Sequence, residues 1–563
     1  MRARHLLLIK RMAIAGAMLA TEPAVARETL PQTADRHRQV DALFAPWGGG
    51  ALPGCALGIA RDGAPDYVRG YGMSNLEHDI PITPRSIFHI ASMSKQFTAF
   101  SIGLLAQEGK LALDDDIRKY LPEMPDYGKP VTVAQLVHHT DGLREQGQLL
   151  NLAGWRGDDL YTQEDILWVL SRQRHLNFDP GTEVVYGNAA YTLLAEIVRR
   201  VTGQPLRAFT NEHIFKPLGM SDTHFHDDHT ELVPRRTAAY APRVGGGWSV
   251  SIPHIDHHGS TSLFSTVGDL LKWQQNLLDN RVGGKALGAW MRTSGILNDG
   301  TPVGYGGGLR LGAYRGLPTI GHDGADAGYR SDAVLFPDQR LAIVALCNGA
   351  TIAPTDLTRK VAEIYLGKQM TSPALPAAVP MPGAAAGWGG VYWSAATDEV
   401  VRLEWKEGSL RQVGGAALLP TGADVFRLEG LAHEWRFIAP PAGSAAGPEL
   451  RIRDFWPTSR VFARVAEPAP DADALAGFAG RYRSDETDMR YTVRVADGRA
   501  RLSWARQYDI ALEAVGGNRF VSSLGTVTFT RDARGVVDGL TISNRRLRNF
   551  HVPHLADGGD GSR

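Results

Sequence analysis

Hydrophobic positions along the chain fall into three regimes. Between about Gln39 and Gly367, short unbroken apolar runs alternate with longer stretches of helical period. Cys55-Ala56-Leu57-Gly58-Ile59-Ala60 and Leu341-Ala342-Ile343-Val344-Ala345-Leu346-Cys347 read as strands, within strand regions near residues 54–73 and 319–347. After Ser92 the residues Phe97, Phe100, Leu104 and Leu105 share one helical stripe that Gly109 can close, and a second helix begins near Ala189. This part predicts a mixed helix-and-sheet domain, residues 27–370, with a large helical insert.

The segment from Thr371 to Gly387 is rich in Pro and Ala without a period, which suits a linker. Beyond it the pattern changes to period two, as in Tyr491-Thr492-Val493-Arg494-Val495, with Val527-Thr528-Phe529 as a further strand. Gly390-Val391-Tyr392-Trp393-Ser394 with Glu407-Gly408 recurs 90 residues later as Gly480-Arg481-Tyr482-Arg483-Ser484 with Asp497-Gly498. Two small antiparallel β-barrels are predicted, residues 388–467 and 474–553, with Pro468-Ala469-Pro470 between them.

Composition narrows the partners. The 563 residues carry 60 basic and 60 acidic side chains, so no electrostatic footprint for nucleic acid exists and small or neutral partners are expected. Arg2, Arg4, Lys10 and Arg11, the apolar stretch Met12 to Ala20 and Ala24-Val25-Ala26 form a secretory leader over residues 1–26. A periplasmic or secreted protein without stable membrane insertion is expected. Two cysteines are too few for a disulfide framework. Cys55 opens one strand and Cys347 ends another, so antiparallel pairing would bring the sulfurs together; buried free thiols are the simpler expectation.

The chemistry starts from Ser92-Met93-Ser94-Lys95. Residues i and i+3 of a helix share a face, so the Ser92 hydroxyl can meet the Lys95 amine, a nucleophile beside a base once burial lowers the lysine pKa. Alone, such a tetrapeptide arises about once by chance in a chain this size. Tyr186-Gly187-Asn188 supplies a phenol that can pass a proton to a leaving group, and an amide to hold Lys95 or substrate. His322-Asp323-Gly324-Ala325 follows in a strand, where Gly324 would let a substrate backbone approach and the Ala325 N–H would join that of Ser92 as an oxyanion donor.

Ser-x-x-Lys, Tyr-x-Asn and His-x-Gly in this order resemble the penicillin-recognising serine hydrolases of the class C β-lactamase branch. Val133-Ala134-Gln135-Leu136-Val137-His138-His139-Thr140-Asp141-Gly142-Leu143, Pro217-Leu218-Gly219-Met220 and Leu263-Phe264-Ser265-Thr266-Val267-Gly268-Asp269 are similar to phrases of that family. The resemblance implies an α+β fold: a five-stranded antiparallel sheet with helices, paired with a helical lobe. It also implies Ser92 as nucleophile, Lys95 as base, Tyr186 as proton shuttle, Asn188 and His322 in support, and Asp323 and Gly324 at the substrate. The two appended barrels are similar to the D-aminopeptidase arrangement, in which a loop of the last barrel reaches the site; Arg506-Gln507-Tyr508-Asp509 is the counterpart considered.

Where many members carry Lys, this chain has His322, mostly neutral at pH 7 and beside Asp323, so weak carboxylate recognition is expected. A D-aminopeptidase-like peptidase acting on a small peptide, amide or ester ranks first, ahead of a carboxylesterase or β-lactamase-like enzyme. A penicillin-binding or peptidoglycan-sensing protein with little turnover is the alternative from another class. A metal enzyme is the third, from His224, His226 and His229 with Asp227 and Asp228, and from His254, Asp256, His257 and His258. Those sets lack the helical histidine spacing of a zinc hydrolase, so solvated histidines and no metal or cofactor are expected. The oligomeric state stays open.

Overall fold

In the computed structural model, residues 30–371, 375–431, 433–440 and 447–555 are described. The leader assigned to residues 1–26 lies outside them. Among the described residues no helix is long and apolar enough to cross a membrane.

The N-terminal unit is built on β1 (Cys55–Arg61), β2 (Ala64–Tyr71), β3 (Arg310–Tyr314), β4 (Leu317–Asp326), β5 (Tyr329–Phe336) and β6 (Leu341–Cys347). They form one antiparallel sheet in the order β3-β4-β5-β6-β1-β2. This is one strand more than the resemblance implies: Arg315 and Gly316 both take positive φ, so the chain turns sharply and β3 pairs onto the edge of β4.

Helices α1 (Leu30–Phe44), α2 (Lys95–Gln107), α3 (Ala189–Thr202), α4 (Val267–Asp279) and α5 (Pro354–Leu366) organise the rest. β1 and β6 are central and covered on both faces, which is why their apolar runs do not alternate. Leu57, Ile59, Ile343 and Ala345 pack with Val40 and Phe44 of α1 and with Val361 of α5. Ala56, Ala60, Val344 and Leu346 face the other way, toward Val267 and Leu271 of α4. The insert between these halves is a helical lobe around α2 and α3. α2 is buried along nearly its whole length, and its C-terminus closes with a Schellman pair, Gly109 N–H to Ala106 and Lys110 N–H to Leu105.

Cys55 and Cys347 stand opposite each other in the β1–β6 register and form a disulfide. This corrects the free-thiol expectation: direct cross-strand partners are close enough to bond without backbone movement.

Each C-terminal unit is an eight-stranded meander. In the first, the opening strand Gly390–Trp393 pairs with the closing strand Arg460–Arg464, and one bridge, Arg411 to Ala417, spans the remaining gap. In the second, strands run in sequence from Gly480–Ser484 to Leu547–Pro553 and the Tyr482–His554 bridge joins the ends. The repeat has a shared physical basis. The Tyr392 hydroxyl donates to the Trp388 carbonyl and that of Tyr482 to the Phe478 carbonyl, both at 2.8 Å. Trp388 stacks on Phe437, and Phe478 on Phe529. Glu407-Gly408 and Asp497-Gly498 are paired positive-φ hairpin turns.

The second barrel docks on the helical lobe through a buried cation. Arg144, 1% exposed, pairs with Glu486 at 2.9 Å and donates to the carbonyls of Arg548 and Asn549. Arg506–Asp509 lies elsewhere, beside Asp159 rather than the site, with Tyr508 72% exposed. The cross-link predicts that, in denaturant, no thiol is titrated by Ellman's reagent until reductant is added, after which two react; thiol reactivity before reduction would contradict it.

Candidate active site

Ser92 lies in a 3₁₀ turn, Ala91–Ser94, that runs directly into α2. In such a turn residues i and i+3 eclipse, which brings Lys95 under Ser92 more squarely than an α-helix would. Ala91 enters the turn at φ 51°, a left-handed conformation that costs on the order of 1 kcal/mol for a residue with a Cβ. Three bonds hold it: Ala91 N–H to His89 Nδ1 (3.2 Å), Ser94 Oγ to the Ala91 carbonyl (2.6 Å) and Leu263 N–H to Ser94 Oγ (3.1 Å).

The Lys95 amine is fully buried and has three neighbours: Asn188 Oδ1 at 2.8 Å, the Ser260 carbonyl at 2.7 Å and Ser92 Oγ at 3.2 Å. Burial pulls its pKa down to about 7. A neutral amine has two N–H groups and one lone pair. The two carbonyl oxygens can only accept, so they take both N–H groups and leave the lone pair for the Ser92 O–H. Asn188 makes no side-chain cap to α3; its amide oxygen is committed to Lys95, while its backbone N–H donates to Glu145 at 2.7 Å.

Tyr186 is half-buried with its hydroxyl out of solvent, and desolvation pushes the phenol above the ordinary value and keeps it a neutral O–H beside Ser92. Among the described residues that hydroxyl has no well-formed hydrogen bond. The Lys95 amine and two guanidinium groups surround the ring, with Lys95 Nζ 4.9 Å, Arg546 Cζ 5.4 Å and Arg310 Cζ 5.7 Å from its centroid.

Ala325 is exposed on β4, and it lines one cavity of about 340 Å³ together with Ser92, Tyr186, Asn188, His322, Asp323 and Gly324. β3 pairs with β4 only as far as Gly321, so the edge from His322 to Asp326 has no strand partner on the cavity side. A Cβ on Gly324 would meet the Ile90 carbonyl and Ser331 Oγ, both at 2.4 Å. The close approach that requires glycine is therefore that of the turn carrying Ser92, not of a substrate backbone.

His322 is neutral, as expected, and it is also fully engaged. Its Nδ1 donates to the Asp323 carbonyl, leaving Nε2 to accept the Tyr305 hydroxyl at 2.9 Å; burial, then the nearby Arg310 charge, holds its pKa low. The Asp323 carboxylate accepts from Arg310 Nε at 2.8 Å. The expected weak carboxylate recognition rested on His322 alone, and the barrels bring further charged side chains to the same cavity. The loop between strands Glu449–Arg453 and Arg460–Arg464 contributes Asp454, Phe455 and Trp456. The hairpin between Val537–Asn544 and Leu547–Pro553 contributes Arg545 and Arg546, in place of Arg506–Asp509. Motif spacing missed Glu145, Ser260, Tyr305, Arg310 and these barrel residues. Glu145 follows the Asp141-Gly142-Leu143 phrase closely and was findable; nothing local marks the others.

The histidine sets lie elsewhere. His226 and His257 are buried rather than solvated, and burial holds both neutral. His224 and His226 do approach Glu231, but Arg207 binds both oxygens of that carboxylate at 2.7 Å.

The strained serine turn, buried amine and flanking phenol on this sheet-and-lobe fold define a serine hydrolase of the beta-lactamase type. The beta-lactamase family model matches residues 40–368, and the chain belongs to that family. The D-aminopeptidase of Gluconobacter oxydans is 29% identical over 314 residues, 56% of this chain and 58% of that protein. The D-aminopeptidase of Brucella canis is 26% identical over 526 residues, 89% of this chain and 96% of that protein. Among solved structures, the octameric penicillin-binding protein homologue from Pyrococcus abyssi superposes with a TM-score of 0.55 at 23% identity, covering 76% of this chain and 99% of that one. The D-amino acid amidase from Ochrobactrum anthropi SV3 complexed with D-phenylalanine gives 0.50 at 22%, covering 59% and 99%. At these identities the structural likeness shows the fold.

For Lys95 as the expected base, which takes a proton only when neutral, kcat/KM for a nitrophenyl ester should rise with pH and level off through an inflection near 7. An inflection above pH 9 would show that the amine stays charged across that range.

Proposed function

We propose that this serine hydrolase is an exported, D-aminopeptidase-like peptidase or amidase acting through a Ser92 acyl-enzyme. The observation that carries the mechanism is the Lys95 amine, fixed by two carbonyl acceptors with its lone pair left for Ser92. Lys95 takes the Ser92 proton as Oγ attacks the substrate carbonyl carbon, and the new oxyanion lies toward the backbone N–H groups of Ser92 and Ala325. The tetrahedral adduct collapses with loss of the amine or alcohol, which receives its proton through Tyr186. Water then attacks the ester carbonyl, gives a proton back along the same path and releases the acid. His322 has both nitrogens committed and acts by holding Tyr305 and the Asp323 backbone, not by touching the proton in flight.

The preference for D-aminoacyl substrates is supported by the two D-aminopeptidase relatives, one of them matched along 96% of its length and 89% of this chain. Export is supported by the leader pattern of residues 1–26 and by the Cys55–Cys347 disulfide, which persists in an oxidising compartment.

The test is a panel of D- and L-aminoacyl anilides, short-chain esters and a chromogenic cephalosporin. The wild type should turn over the D-anilides faster than the L-forms. Ser92→Ala should lose fluorophosphonate labelling and at least roughly a thousandfold in kcat/KM. Substantial turnover by that variant would sink the mechanism, and esters hydrolysed without any D-anilide would move the assignment to an esterase.

A further inference from the structure

Charge accounting around the cavity leaves one cation over. Three arginine and two aspartate side chains line it: Arg310, Asp323, Asp454, Arg545 and Arg546. Arg310 is paired with Asp323, and Arg545 with Asp454, which also faces Arg460 at 3.6 Å. Arg546 is half-buried, and among the described residues its guanidinium meets no carboxylate and no hydrogen-bond acceptor. Its main chain, by contrast, is pinned: the carbonyl accepts from Glu145 N–H and from Asn177 Nδ2, both at 3.0 Å, and its N–H donates to Asn544 Oδ1 at 3.0 Å. A guanidinium held in place from behind, with its donor fork free and half-desolvated, is matched to a planar anion that accepts two parallel N–H bonds.

We infer that Arg546, carried into the cavity by the last barrel, binds a carboxylate on the leaving group of the substrate, so that the favoured substrates are short peptides whose departing residue bears a free α-carboxylate. This rests on the acyl-enzyme reading above for the side of the site concerned: the guanidinium sits over the Tyr186 ring, the group that returns the proton to the leaving atom. In a dipeptide the departing nitrogen and the carboxylate are separated by one carbon, so a nitrogen at the Tyr186 hydroxyl keeps its carboxylate within reach of the neighbouring Arg546 guanidinium. His322, neutral and spent on Tyr305 and Asp323, cannot supply that contact.

The experiment compares matched pairs that differ only in the charge. D-alanyl-glycine and D-alanyl-glycinamide form the first pair; 3-acetoxybenzoate and its methyl ester form the second, independent of any D-amino acid preference. For each pair, the ratio of kcat/KM for the anionic member to that for the neutral one is measured in the wild type, Arg546→Gln and Arg546→Lys, with fluorophosphonate labelling of Ser92 certifying a folded site. The ratio should exceed one in the wild type and drop roughly tenfold in Arg546→Gln, as loss of a charge-assisted pair requires, with Arg546→Lys in between because it keeps charge without the fork. The same ratio in all three proteins overturns the inference while leaving the hydrolase reading intact. An Arg546-dependent ratio for the acetoxy pair with inert D-alanyl substrates does the reverse. No hydrolysis of either pair overturns both.

Discussion

The site depends on one buried amine being held in one protonation state. Lys95 sits at zero exposure between two carbonyl oxygens that can only accept, so a single proton count, the neutral amine, leaves a lone pair for Ser92. A permanently charged cation in the same place would spend a third N–H on the serine oxygen and stall it. Other features can be ordered around that requirement. The α3 N-terminus gives up a side-chain cap so that Asn188 can reach the lysine, the segment through Ser260 turns a carbonyl inward, and the turn before α2 accepts a left-handed alanine so that serine and lysine eclipse.

The barrels are part of this arrangement. The hairpin of the second barrel is bonded through Arg546 to Glu145 and Asn177, and through Arg548 to Glu183. Glu145 in turn receives the Asn188 N–H. The same residue therefore joins the barrel to the segment that steadies the Lys95 amine. Arg144, one position earlier, buries its charge against Glu486, and breaking such a pair on one side costs about 3–5 kcal/mol because the partner stays buried. Barrel docking and active-site geometry are one contact network, which explains why the cavity wall contains residues from three parts of the chain.

His322 shows how far one motif position can be read from the sequence and where that reading stops. Its neutrality follows from histidine chemistry and from burial, and the structure has it neutral. The cations of the same cavity, Arg310, Arg545 and Arg546, arrive from the edge strand and the far barrel, where no motif marks them. Gly324 is a similar case: the need for a glycine was legible, but the approaching atom is the Ile90 carbonyl of the protein itself.

Local pattern was enough for whatever depends on neighbours in the chain. The apolar runs of β1 and β6, the Phe97–Leu105 stripe with its Gly109 stop, the paired hairpin turns of the 90-residue repeat and the Ser92–Lys95 juxtaposition all follow from periodicity and backbone preference over a few residues. Order along the chain then placed Tyr186 and His322 in the same constellation. What needed the folded molecule is what depends on contacts distant in sequence. The disulfide required the register that sets Cys55 opposite Cys347, the sixth strand required an edge to pair with, and the cations at the cavity required a barrel ending some 450 residues after the nucleophile to fold back over it. A side chain's partner at that separation is chosen by packing of whole elements, and no short stretch of sequence carries that information.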